Sequence, residues 1–162
     1  MKKIISLLIS VCLMFTFFSL NIEAVDEDFV PYVIEFEISS GSYENQSEEN
    51  SSRASGLITS YSLSLSKTGN TLKLLGSTHG TSEVVRSGFK SLTVERRKSN
   101  SYDWEDYYEY GNVYIDAAAA SLNTTLAVES GYQYRISCKH YAKKSLLVTQ
   151  SISNTSNTVT VA

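Results

Sequence analysis

Apolar and polar side chains trade places every second residue over much of this chain. Tyr61, Leu63 and Leu65 alternate with Ser62, Ser64 and Ser66, and Leu72, Leu74, Gly76 and Thr78 repeat the pattern after a turn signal at Lys67-Thr68-Gly69-Asn70. A period of two sorts side chains onto the two faces of a strand, whereas a helix would scatter them around its circumference. Phe89 to Arg97 sets Leu92 and Val94 against Thr93 and Glu95, and Lys98-Ser99-Asn100-Ser101 reads as the turn that follows. Tyr102 to Tyr110, Tyr114-Ile115, Tyr132 to Ala142, Leu146 to Ile152 and Thr158 to Val161 complete the predicted strands. Asp116 to Ala120 reads as one helical turn at most, too short to stand as a helix. Upstream, Phe29 to Ile38 alternates only loosely, and the pattern favours a loop over a docked strand. About seven short strands at turn spacing predict an all-β, antiparallel β-sandwich.

The first 24 residues follow a different logic. Lys2 and Lys3 precede an apolar run from Ile4 to Leu20, and Ile22-Glu23-Ala24 offers a small residue for cleavage. That is the pattern of a secretory signal peptide, cut after Ala24, and it predicts a secreted, extracellular protein. The competing reading is an uncleaved anchor, because the run approaches the roughly 20 residues that span a bilayer. Ile9-Ser10-Val11-Cys12 is a poor lipoprotein box, since Val11 is bulky and the apolar run continues past Cys12. Cleavage removes Cys12 and leaves Cys138 alone, so no disulfide can close within the chain and stability must come from packing. A lone Cys is more often a small buried hydrophobe than a nucleophile.

Charge divides what remains. Val25 to Asn50 carries eight acidic residues and no Lys or Arg, whereas from Arg53 onward twelve basic residues face eight acidic ones. Ser39 to Ser55 is Ser-rich with almost no apolar side chain, a composition that cannot offset the entropy of ordering itself. Residues 25–53 therefore read as an acidic arm and linker, and residues 54–162 as the sandwich domain.

One local motif sharpens the fold. In Val128-Glu129-Ser130-Gly131-Tyr132-Gln133-Tyr134, an apolar residue stands six before Tyr134 and a Gly three before it, and Tyr134, Ile136 and Cys138 then alternate. This resembles the tyrosine corner of immunoglobulin and fibronectin type III sandwiches, in which a Tyr entering the penultimate strand returns its hydroxyl to upstream backbone. Ser130 stands where those domains often carry Pro.

A wider resemblance runs from Arg53 to Ala142. Arg53-Ala54-Ser55, Tyr61, the Val85-x-x-Gly88-Phe89 step into Leu92-x-Val94-Glu95-Arg96, Trp104, and Gly131-Tyr132-Gln133-Tyr134-Arg135 with Ala142 are similar to short secreted proteins of Firmicutes whose function is unassigned. The resemblance implies export from a Gram-positive cell and a small β-domain. It carries no catalytic residues.

Chemical motifs are few. Ser64-Leu65-Ser66-Lys67 and Ser87-Gly88-Phe89-Lys90 spell S-x-x-K, and Lys67-Thr68-Gly69 spells K-T-G, as in penicillin-recognising enzymes. That chemistry needs Ser and Lys one helical turn apart, and residues three apart in a strand point to opposite faces. Cys138 and His140 share a strand face, where packing is the commoner role than a catalytic dyad. Asp103, Asp106 and Asp116 lack the spacing of a calcium loop, so no metal or other cofactor is expected.

Two surfaces hold candidate binding residues. In a strand from Tyr102 to Tyr110, Trp104 and Tyr108 would share a face with Tyr102, Asp106 and Tyr110, an arrangement of rings and carboxylates able to stack on sugars. The alternative is that Trp104 and Tyr108 cap the core. The second surface is basic: Arg135, Lys139 and Lys143 point the same way, with Arg96-Arg97-Lys98 expected on a neighbouring strand. Together these features predict a secreted, noncatalytic sandwich that binds a cell-wall polymer, a glycan or an extracellular protein. Net acidity and export exclude nucleic acid as a partner, and membrane contact is expected only through the signal segment before cleavage. The alternatives are a small carbohydrate-active hydrolase using carboxylates around Trp104, and a self-assembling matrix protein joined through an open strand edge.

Overall fold

The computed structural model describes residues 29–41 and 51–162, with residues 51–53 described as backbone only. The predicted signal segment and the middle of the Ser-rich linker lie outside these residues. Within them the chain is all β: β1 (Tyr32–Ser39), β2 (Ser51–Arg53), β3 (Ile58–Thr68), β4 (Thr71–Gly80), β5 (Arg86–Lys98), β6 (Glu105–Ile115), β7 (Ala119–Ala127), β8 (Tyr132–Lys143), β9 (Thr149–Thr155) and β10 (Val159–Val161). One antiparallel sheet runs β1-β7-β4-β3-β2, and the other runs β6-β5-β8, with β9 and β10 sharing the far edge of β8. In immunoglobulin lettering β3, β4 and β7 stand at A, B and E, β5, β6 and β8 at C, C′ and F, and β9 with β10 at G. The predicted sandwich is present, with more strands than the seven expected.

The sheets meet through the alternating residues. Leu63, Leu74 and Leu122 of the first sheet belong to one buried cluster with Phe89, Val94 and Ile136 of the second. Each such side chain contributes about 1.5–3 kcal/mol by leaving water. Gly76 makes room for this contact, because a Cβ there would stand 2.9 Å from the Phe89 ring. Gly88, at φ +151°, lies so close to β6 that a Cβ would overlap the Val113 carbonyl.

Four local expectations differ from the structure. Phe29 to Ile38 is not a loop: Tyr32–Ser39 is an edge strand antiparallel to β7. Its register shifts between Val33 and Glu35, so the bulged Ile34 breaks the period of two that would have marked the strand. With β2, it places two strands of the sheet upstream of residue 54. Asp116 to Ala120 makes no helical turn; Asp116 to Ala118 bend, and Ala119 opens β7. β7 escaped the sequence reading because Ala120 and Thr124 hold inward positions beside Leu122 and Leu126, and pairing on both sides by β1 and β4 overrides the low strand preference of the Ala run. The apolar Leu146-Leu147-Val148 lies in a turn, and β9 begins at Thr149.

The tyrosine corner is formed. Tyr134 is fully buried, its hydroxyl donates to the Glu129 carbonyl at 2.6 Å, and Tyr107 packs edge-on at 5.4 Å. Gly131, at φ +86°, makes the bend, and its N–H donates to the Val161 carbonyl. On the β3 side, two amide side chains join the sheets. Asn157 accepts from the Leu65 N–H and donates to the Leu65 carbonyl, and Gln150 does the same for the Ile58 N–H and Ser55 carbonyl.

Candidate functional site

The outer face of the β6-β5-β8 sheet is set by register. Glu95 lies opposite Arg135 on β8 and Asp106 on β6, and Arg97 lies opposite Gln133. Side chains at paired positions share a face, so these groups form one polar array. The Arg135 guanidinium pairs with Glu95, which also accepts from Ser137 Oγ at 2.8 Å. Arg97 Nε donates to Gln133 Oε1 at 2.8 Å. Trp104, in the turn before β6, is flanked by both guanidiniums: Arg135 is 4.2 Å and Arg97 4.5 Å from its ring centroid. These are cation–π contacts of about 0.5–1 kcal/mol each at partly exposed sites.

Of the five predicted binding residues, then, Trp104 and Arg135 meet. Lys139 and Lys143 lie further along β8 on the same face, Lys139 about 13 Å from Arg135 at strand rise. Tyr108 is on the other side of the sheet, half-buried against the core and edge-on to Tyr110 at 4.9 Å. The expected shared face of Tyr102, Trp104, Asp106, Tyr108 and Tyr110 is therefore not formed. Tyr102 and Trp104 precede the strand, and the register shift between Val94 and Glu95 inserts Tyr107 as a bulge, so that Tyr107 and Tyr108 both pack toward the core.

The basic run on β5 is split by the pleat. Arg97 faces out, whereas Arg96 turns to the edge of the core, 4.6 Å from the Tyr107 ring and 4.4 Å from that of Tyr132. Its guanidinium also binds Glu105 at 2.6 Å and Glu129 at 2.8 Å. Burial is the largest single influence on the Arg96 pKa and lowers it, but Glu105, Tyr132 and Glu129 together outweigh it and hold the pKa above its ordinary value. A polar hollow of about 390 Å³ opens beside this end of β5, lined by Arg96, Arg97, Lys98, Asp103, Glu105 and Tyr132 among others.

A second polar group centres on the buried His140. Thr78 Oγ1 lies 3.0 Å from the Gly88 carbonyl and 2.8 Å from His140 Nδ1. Its single proton satisfies the carbonyl, so His140 carries its own proton on Nδ1 and donates to Thr78. Asn154 Oδ1 accepts from the Thr155 N–H, which leaves its amide nitrogen to donate to His140 Nε2 at 3.2 Å. Cys138 Sγ stands 3.9 Å from the same nitrogen. Burial lowers the His140 pKa to about 4 and raises the Cys138 thiol to about 12. Both are neutral at pH 7, the reverse of the thiolate–imidazolium pair that nucleophilic catalysis uses. The relay ties β4 and β5 to β8 and β9 across the interior.

The S-x-x-K strings lie in strands, as expected. Ser87 is buried and donates to the Ala117 carbonyl at 2.9 Å, whereas Lys90 faces out over the Tyr141 ring at 4.0 Å. Among the described residues no group of three or more His, Cys, Asp or Glu is placed to hold a metal ion. Arg97 was expected beside Arg135 on a neighbouring strand, and β5 does pair with β8; sequence reasoning missed Glu95, Gln133 and Ser137. The signal was the alternation of Glu95 and Arg97 on β5 with Gln133, Arg135 and Ser137 on β8, which becomes readable only once the register is known. Comparison with known protein families, with curated proteins and with solved structures finds no match for this chain.

Proposed function

We propose that the protein is a secreted, noncatalytic β-sandwich that binds an anionic cell-envelope polymer or an extracellular partner through the outer face of the β6-β5-β8 sheet. The observation that supports this reading most directly is the set of cations on that face. Arg97, Lys139 and Lys143 have no ion-pair partner among the described residues, and Arg97 and Arg135 are held in place by Trp104. Fixed guanidiniums bind phosphate and carboxylate groups with less entropy lost per contact than free ones. Export is supported by the N-terminal charge and apolar pattern.

The test is binding of the chain from Val25 to insoluble wall material and to soluble polyphosphate as salt is raised. Binding is expected at low ionic strength, falling with added salt and in Lys139→Glu/Lys143→Glu. Absence of binding at low salt refutes the envelope reading. A carbohydrate-active reading draws on the hollow where Asp103 and Glu105 both line the wall. It requires release of reducing sugar from a polysaccharide, abolished in Asp103→Asn.

A further inference from the structure

The hairpin between β8 and β9 ends in a turn with unusual chemistry. Lys143 and Thr149 are the last paired residues, and Val148 N–H donates back to the Ser145 carbonyl, closing a four-residue turn. Its two central positions are Leu146 and Leu147, which are 85% and 92% exposed. Central turn positions normally carry Gly, Pro, Asn, Asp or Ser, whose backbone preferences or short polar side chains make the bend. Two large aliphatic side chains there contribute nothing to the core. Val148 and, in the adjacent loop, Val85 extend the exposed apolar surface, and the Val85 N–H is tied to the Lys143 carbonyl at 2.8 Å.

The charge around this apex leans positive, with Arg86, Lys143 and Lys144 against Glu83 and Asp116. From Ser130 to the last residue the chain has Arg135, Lys139, Lys143 and Lys144 and no Asp or Glu. The two carboxylates that neighbouring loops bring to this end are already engaged, Glu83 with Lys144 and Asp116 with Arg86, both at 2.5 Å. Lys143 makes no close ion pair among the described residues, although the Asp116 carboxylate lies within its field. In β-sandwiches of this type the loops at this end, between β4 and β5 and between β8 and β9, correspond to the antigen-binding loops of variable domains.

We propose that the Leu146-Leu147 apex is a membrane-insertion point that docks the sandwich on an anionic lipid surface. A convex apolar tip suits a fluid bilayer, which closes around an inserted side chain 5–10 Å below the headgroups. Lys143 beside it then sits at headgroup level, its stem along the acyl boundary and its ammonium on a lipid phosphate. This departs from the sequence expectation that membrane contact is confined to the signal segment. The Leu146-Leu147 tip is separate from Trp104 and Arg135, which lie at the opposite end of β8, and only Lys143 belongs to both surfaces.

The experiment uses the chain from Val25, which retains every described strand, and vesicles of phosphatidylcholine alone or mixed equally with phosphatidylglycerol. Cosedimentation is expected with the mixed vesicles and much less with the neutral ones. Leu146→Ser/Leu147→Ser lowers partitioning at least about tenfold, from the lost apolar burial. Lys143→Gln lowers it roughly fivefold. The Leu146→Ser/Leu147→Ser variant keeps the wild-type melting temperature and the wild-type polyphosphate binding, so failure here is distinguishable from failure of the polymer reading. In Leu147→Cys, an environment-sensitive thiol label reports position 147 alone, because Cys138 is buried, and its emission shifts to that of an apolar medium on mixed vesicles. The proposal is overturned if the wild-type protein stays in solution with mixed vesicles, if the double Ser variant binds them equally, or if the apex instead mediates a dimer that excludes vesicles.

Discussion

The two polar clusters of this sandwich use hydrogen bonds to opposite ends. Thr78 and His140 lie fully buried, where a missing partner is not replaced by water, with Asn154 part-buried at the far end of the relay; the stack of Arg97, Trp104 and Arg135 lies on the outer face, where it is. The first is thus expected to govern stability and its dependence on pH, and the second to govern what the surface presents. Similar distances, 2.8 Å in both places, carry different energies because the surrounding dielectric differs.

The sharpest way to break this contrast is His140→Ala. It removes a buried ring that contacts Tyr61 and Phe89 and strands Asn154, and it is expected to cost about 4 kcal/mol in urea unfolding. Acid should act on the same residue. The folded protein keeps His140 neutral down to about pH 4, whereas the unfolded chain binds a proton near 6.5. Stability is therefore full above pH 6.5 and falls as pH drops toward 4, by about 3 kcal/mol. The groups facing His140 are Thr78, Asn154, Cys138, Tyr61 and Phe89, none of them charged in this range. His79, lowered by its own burial, adds in the same sense. Unfolding curves across pH 4 to 8 check this, and a His140→Gln protein should lose most of the slope.

Smaller effects sharpen the comparison. Thr78→Val leaves the His140 Nδ1–H without an acceptor and should cost about 2 kcal/mol. Trp104→Ala frees two guanidiniums that water then solvates, for about 1 kcal/mol, with no change in the pH slope. A Trp104→Ala effect as large as that of His140→Ala would erase the distinction between inside and outside.

Period-two patterning made the central strands legible, because Leu63, Leu74 and Val94 each recur at the spacing that one buried face demands. The tyrosine corner was legible for a different reason: its turn and its hydrogen bond span only six residues, so local order suffices. What escaped was everything set by register. Ile34 and Tyr107 are bulges, and a bulge shifts each later side chain to the other face without any mark in composition. Trp104 precedes the strand that was expected to carry it, and Tyr108 left the surface array for the core, as the alternative reading of that segment had it. Leu146 and Leu147 were read as strand because apolar residues usually are, and only the paired ends of β8 and β9 show them to be a turn.

The amide side chains of Asn157 and Gln150 make the sandwich lopsided in how it comes apart. Along β3 they stand in for a missing neighbour strand, so the Leu65 and Ile58 amide protons, though near a margin, should exchange with solvent deuterium as slowly as those of central strands. At the other margin β1 meets β6 through the stacking of Phe36 on Tyr110 at 5.7 Å and through Thr124, which donates to the Glu35 carbonyl at 2.6 Å and lies 3.3 Å from the Tyr110 hydroxyl, with no amide side chain among the described residues standing in for a strand. Unzipping under heat or pulling force should thus start with the release of β1, baring the β7 margin while the opposite seam still holds.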